Sequence, residues 1–107
     1  MAQNFRNVLK PAIGTVATPI LAASSYDALI GIRCCNIIAS SILVDVYIVN
    51  SGNHYLAKDV SIPPNSAIEL IQGGAKINLK SGDTLTAISN TASSVDIVTS
   101  YISEIST

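Results

Sequence analysis

Turn signals punctuate this chain about every ten residues, and that spacing limits what it can fold into. Clusters of small, polar and ring-constrained residues recur at Ser24-Ser25-Tyr26-Asp27, Ala39-Ser40-Ser41, Ser51-Gly52-Asn53, Pro63-Pro64-Asn65-Ser66, Gly73-Gly74, Ser81-Gly82-Asp83 and residues 91–94. Between them lie short apolar runs in which Ile is the commonest residue type of the chain. β-Branched runs bounded by turns read as strands, and strands at this spacing read as sandwiches or barrels. The segments expected to be extended are 13–21, 28–38, 42–50, 54–62, 67–72, 76–80, 84–90 and 95–105. None of them carries a convincing helical period.

Within several segments the side chains alternate with period two. Ile77 and Leu79 oppose Lys76, Asn78 and Lys80, while Leu85, Ala87 and Ser89 oppose Thr84, Thr86, Ile88 and Asn90. The last segment puts Val95, Ile97, Thr99, Tyr101 and Ile105 on one face, with Asp96, Val98, Ser100, Ile102 and Glu104 on the other. Apolar residues on both faces predict a strand covered on two sides for part of its length. Gly31 marks a bulge or a close approach, Gly52 a hairpin turn with positive φ, and Pro19 an edge or irregular strand. The expected fold is all-β: an antiparallel two-sheet β-sandwich of seven or eight strands, jelly-roll or immunoglobulin-like in order. Residues 1–10 lack a clear period. Residues 1–21 are read as an extended N-terminal arm and first edge segment, and residues 22–107 as the sandwich domain.

Composition narrows the function. Charged residues are only 12% of the 107, the net charge is -1, and hydrophobic residues are 49%. That combination is the opposite of a disordered chain. It offers no clustered basic surface for nucleic acid or for an anionic membrane. So few charges cannot cover a small domain's surface in the usual way, which implies burial of surface against partners. Residues 28–49 are apolar, but Arg33, Asn36 and Asp45 interrupt them and argue against a membrane span. Arg6 and Lys10 before the apolar stretch 11–21 imitate a signal peptide, which Pro11 and Pro19 spoil as a helix.

Candidate chemistry is sparse. The single histidine, His54, lies beside a hairpin turn and reads as a surface or packing residue. Cys34 and Cys35 are adjacent and point to opposite faces of a strand, which predicts two reduced thiols with at least one buried. Asp83 fits turn chemistry, whereas Asp45 and Asp96, inside strands, fit partner contacts or a satisfied polar pocket. No nucleophile elbow, phosphate loop or metal-ligand spacing occurs. The expectation is therefore a non-enzymatic chain with no catalytic, cofactor-binding or metal residues. Tyr47, Tyr55 and Tyr101 are the aromatic residues available for a recognition platform.

Three runs carry a resemblance. Residues 55–70 resemble the pattern L-x-x-x-x-I-P-x-x-x-x-x-E-L, with one residue more between Leu56 and Ile62, and residues 76–85 resemble K-I-x-L-x-x-G-D-x-L. Residues 94–105 resemble S-V-D-V-x-x-S-Y-L-E-I, with Ile97 and Ile102 in place of its second V and its L and with Ser103 as an extra residue near its end. Together, over about residues 30–105, the chain resembles small β-sandwich virion proteins of tailed bacteriophages. Its vicinal cysteines depart from that pattern. The resemblance implies a capsid decoration or cement protein, or alternatively a neck, tail or fibre-adaptor protein with a possible host-surface binding role. It implies self-association as a trimer or ring, contacts with major capsid or tail and neck proteins, no nucleic acid, no membrane and no cofactor. The implied location is the virion, assembled in the host cytoplasm.

Overall fold

A computed structural model describes residues 4–23, 26–71 and 77–103. The turns expected at Ser24-Ser25 and Gly73-Gly74, and the face positions of Lys76, Glu104 and Ile105, lie outside the described residues. Among the described residues there are nine strands and no helix. They are β1 (Asn4–Ile13), β2 (Thr18–Ala22), β3 (Asp27–Asn36), β4 (Ile42–Val49), β5 (Asn53–Ile62), β6 (Ala67–Glu69), β7 (Ile77–Leu79), β8 (Thr84–Ser89) and β9 (Val95–Ser103).

These strands form two antiparallel sheets packed together. One runs β1-β9-β3, with β6 and β7 sharing the far edge of β3; the other runs β2-β8-β4-β5. The core between them is aliphatic: Leu29, Ile32, Ile42, Ile62, Leu79, Leu85 and Ile97 are fully buried. Alternation explains the packing, because each of these residues has neighbours in sequence that point outward. Leu85, Ala87 and Ser89 face inward, as their period requires, and Leu79 is buried beside exposed Asn78 and Lys80.

Three expectations need correction. The strand count is nine, not seven or eight. The N-terminal segment is no extended arm: from Asn4 it is strand β1, paired in register with β9 from Asn4↔Ser103 to Lys10↔Ile97. The segment 13–21 is thus the end of β1, a connection and β2. Its sequence signal failed because an edge strand tolerates Pro11, and because Phe5 and Leu9 face solvent while Arg6 and Lys10 take the other face. Lastly, β9 is central in its sheet but covered on one face. Val95, Ile97 and Thr99 are buried, whereas Val98 on the opposite face is exposed.

The special backbone positions follow local chemistry. Register shifts at Leu29/Gly31, and a Cβ at Gly31 would meet Ser100 only at ordinary contact distance, so Gly31 marks a bulge and no close approach. The close approach is at Gly14, where a Cβ would lie 2.9 Å from the Ser93 nitrogen. Gly52 and Gly82 both take positive φ in their turns.

Candidate functional site

Side chains that could carry chemistry are mostly engaged in holding the backbone. Asp45, on the outer face of β4, accepts a hydrogen bond from the Asp59 N–H at 2.6 Å and one from Lys58 Nζ at 3.3 Å. Asp59 has φ 51° and sits where the β4–β5 register slips, so the Asp45 carboxylate pins a bulge. Asp96 does the same on the other sheet. It accepts the Ala12 N–H at 2.7 Å, and Ala12, with φ 51°, lies within the β1 register shift. Each aspartate thus occupies a satisfied polar environment, one of the two roles expected for it.

Asp83 joins three connections. Its carboxylate accepts the Lys80 N–H at 3.0 Å and the Asn50 side-chain amide, and its carbonyl accepts the Ala23 N–H at 2.9 Å. The Lys80 N–H and then the Asn50 amide hold the Asp83 carboxyl below its ordinary range. His54 stands on the same hairpin, its Nε2 3.3 Å from the Asn50 carbonyl and its ring exposed. Among the described residues, no group of three His, Cys, Asp or Glu could hold a metal ion.

The cysteines divide as the strand period requires. Cys34 is fully buried, and burial, followed by the charge of Glu69, pushes its thiol up to about 12. Cys35 is half-buried on the outer face, and neither is in a disulfide.

The three tyrosines do not converge. Tyr47 and Tyr55 face each other across β4 and β5 with ring centroids 5.1 Å apart, but Tyr47 is buried. Lys58 caps the Tyr55 ring, its Nζ 5.0 Å from the centroid. Its hydrogen bond to Asp45, with the charges of Asp45 and Asp59, raises the Lys58 ammonium above its usual value. Tyr101 belongs to the other sheet, opposite Leu29 and Arg6.

What the molecule does present is an outward sheet face with little charge. In the β1-β9-β3 sheet, pairing aligns Phe5 with Ile102 and Ala28, Asn7 with Ser100 and Gly31, and Leu9 with Val98 and Arg33. Phe5 and Leu9 are 74% and 62% exposed. The charges on this face are engaged: Arg33 and Glu69 are tied to each other in an ion pair, and Asp96 accepts the Ala12 N–H. Two hollows lie on this sheet, one lined by Phe5, Arg6, Asn7, Ile30, Ser100 and Tyr101, the other by Gly31, Arg33, Glu69, Val98 and Ser100. Sequence reasoning missed Phe5 and Leu9, since it assigned them to an arm; their spacing of four, with Asn7 between, was the available signal. Such a surface offers shape and apolar contact, which suits association with another macromolecular surface.

Comparison with protein-family models, with curated proteins and with solved structures gives no match in any of the three.

Proposed function

We propose that this chain is a non-enzymatic structural protein of a tailed-phage virion, a decoration or cement protein that stabilises the capsid shell through subunit contacts. The observation that carries the reading is the nested order of strand pairing: β1 with β9, β2 with β8, β3 with β6 and β7, and β4 with β5. We infer from this order a jelly roll, in which one long antiparallel hairpin is rolled into two sheets, with its sixth track split between β6 and β7. Jelly rolls serve in viral capsid, lectin and cupin domains. A fold alone does not specify function. The charge-poor outer face and the virion-protein resemblance of residues 30–105 favour the capsid setting over the other two.

In this reading, main-chain edges and apolar faces make contacts with further copies of the chain and with shell proteins. Quantitative mass spectrometry of purified particles tests it. Copies near or just below one per major shell protein support decoration. A handful of copies, matching six- or twelve-fold rings, supports the neck or tail alternative instead. Absence from the particles refutes the virion reading.

A further inference from the structure

Every sheet has edges, and an edge strand carries unpaired N–H and C=O groups that natural proteins shield. Three of this protein's edges show such shielding. Strand β2 is short and contains Pro19; β5 is broken by the Asp59 bulge and carries Lys58; β6 and β7 span only three residues each. Strand β1 differs. It is 10 residues long, and its register with β9 is unbroken from Asn4 to Lys10. Pro11 and the bulge at Ala12 disturb only its end. Among the described residues, nothing pairs with its other side. The two most exposed apolar side chains of this sheet, Phe5 and Leu9, both lie on it.

We propose that β1 is a self-pairing edge: two copies of this chain join antiparallel through β1 about a two-fold axis at Asn7, making one continuous sheet. Two separate observations select that axis. The first is geometric. Asn7 is the midpoint of the unbroken run from Asn4 to Lys10, so this register uses the whole run and leaves Pro11, which has no N–H, just outside it.

The second is charge. Residues of like parity must face each other if the inner faces of both copies are to stay on one side, since a one-residue slip exchanges the faces. Among such registers, centring on Arg6 sets Arg6 against its own copy. Centring on Val8 sets Arg6 against Lys10. Both place like charges directly opposite, which destabilises a pair. Centring on Asn7 sets Arg6 against Val8 and Lys10 against Asn4. It also sets Phe5 against Leu9, so the Phe5–Ile102 row of one copy continues into the Leu9–Val98 row of the other. Registers centred further out pair only part of the straight run. The isologous interface is closed, as in most soluble dimers, and so departs from the expected trimer or ring.

This inference supplies a surface for the self-association in the proposed function, but its test does not depend on a virion. Sedimentation of the full chain over a dilution series should show a species of twice the chain mass that dissociates on dilution. Phe5 and Leu9 are exposed, so their replacement leaves the fold intact, which circular dichroism verifies. F5K/L9K places Lys opposite Lys and should be monomeric; F5K/L9E places Lys opposite Glu and should restore the dimer. Asn7→Cys in a Cys35→Ser background should form an intermolecular disulfide under mild oxidation. A wild-type chain that is monomeric throughout overturns the proposal. So does a dimer that responds alike to F5K/L9K and F5K/L9E, or an N7C chain that does not cross-link. A dimer of a chain absent from particles leaves the pairing standing and removes only the virion setting.

Discussion

Asn36 is fully buried at the end of β3, and its side chain organises two connections at once. Its amide nitrogen donates to the carbonyls of Ser40, Ile62 and Pro63 at 2.8, 3.0 and 3.0 Å, and its amide oxygen accepts the Ile38 N–H at 3.0 Å. Two N–H groups are shared among three carbonyls, so the side chain contributes about three full hydrogen bonds. At about 0.5–1.5 kcal/mol each, Asn36→Ala should cost about 2–4 kcal/mol. Folded domains have only about 5–15 kcal/mol in hand. For a chain of this size the loss corresponds to a fall in Tm of roughly 10–20 °C. Asn36→Asp should be worse at neutral pH, because a carboxylate would face three carbonyl oxygens without water. Burial would raise that carboxyl's folded pKa above its unfolded value. Its penalty would therefore be small below the unfolded value and grow as pH rises. Urea unfolding of wild type, N36A and N36D at pH 4 and pH 7 measures all of this, with exposed Asn78→Ala as a control expected within about 0.5 kcal/mol of wild type. An N36A midpoint equal to the control's would refute the assignment of Asn36 as the organising residue.

Other outcomes are equally direct. Thr99 is fully buried and its hydroxyl has no hydrogen-bond partner among the described residues, so Thr99→Val should raise stability by about 1 kcal/mol in urea unfolding. Thiol titration of the native protein should label Cys35 and spare Cys34, with both reacting after denaturation. Asp83 has its folded pKa held below the unfolded value, so its stabilisation is complete above the unfolded carboxylate range, near about 3.9, and is lost as pH falls through the folded value. Thermal melts of wild type and Asp83→Asn between pH 7 and pH 2 should therefore differ at neutral pH and converge in acid.

What could be read from the sequence was set by how completely each segment is buried. Strands β4 and β8 lie in the middle of their sheet, and their residues Val44, Val46, Leu85 and Ala87 alternate with outward residues. Burial dictates their period, so the period appears in the sequence. The hairpin at Gly52 and the turn at Gly82 were visible because positive φ selects glycine. Strand β1 was not visible, because one of its edges faces solvent and its outward residues are Phe5 and Leu9. Apolar pattern and burial disagree there, because the exposed positions are apolar. The role of Asn36 was equally hidden: its partners, Ser40, Ile62 and Pro63, meet only once β3 and the turn after β5 are brought together.

The scarcity of charge acquires a structural meaning once the carboxylates are traced. Asp45, Asp83 and Asp96 each accept a backbone N–H at a bulge or turn, and Glu69 pairs with Arg33. A carboxylate accepting a backbone N–H gives a charge-assisted bond where the ladder has been interrupted. Those acids are thus placed by the needs of irregular backbone, and solvation of the broad sheet faces is left to Ser, Thr and Asn. Free solubility alone would favour scattered Lys and Glu on the outer face of the β1-β9-β3 sheet. Phe5, Leu9, Val98 and Ile102 stand there instead, in register and beside an edge that can extend the sheet. Charge kept for the turns and apolar residues kept for the outer face are what a chain needs if its faces and edges are to be covered by other subunits.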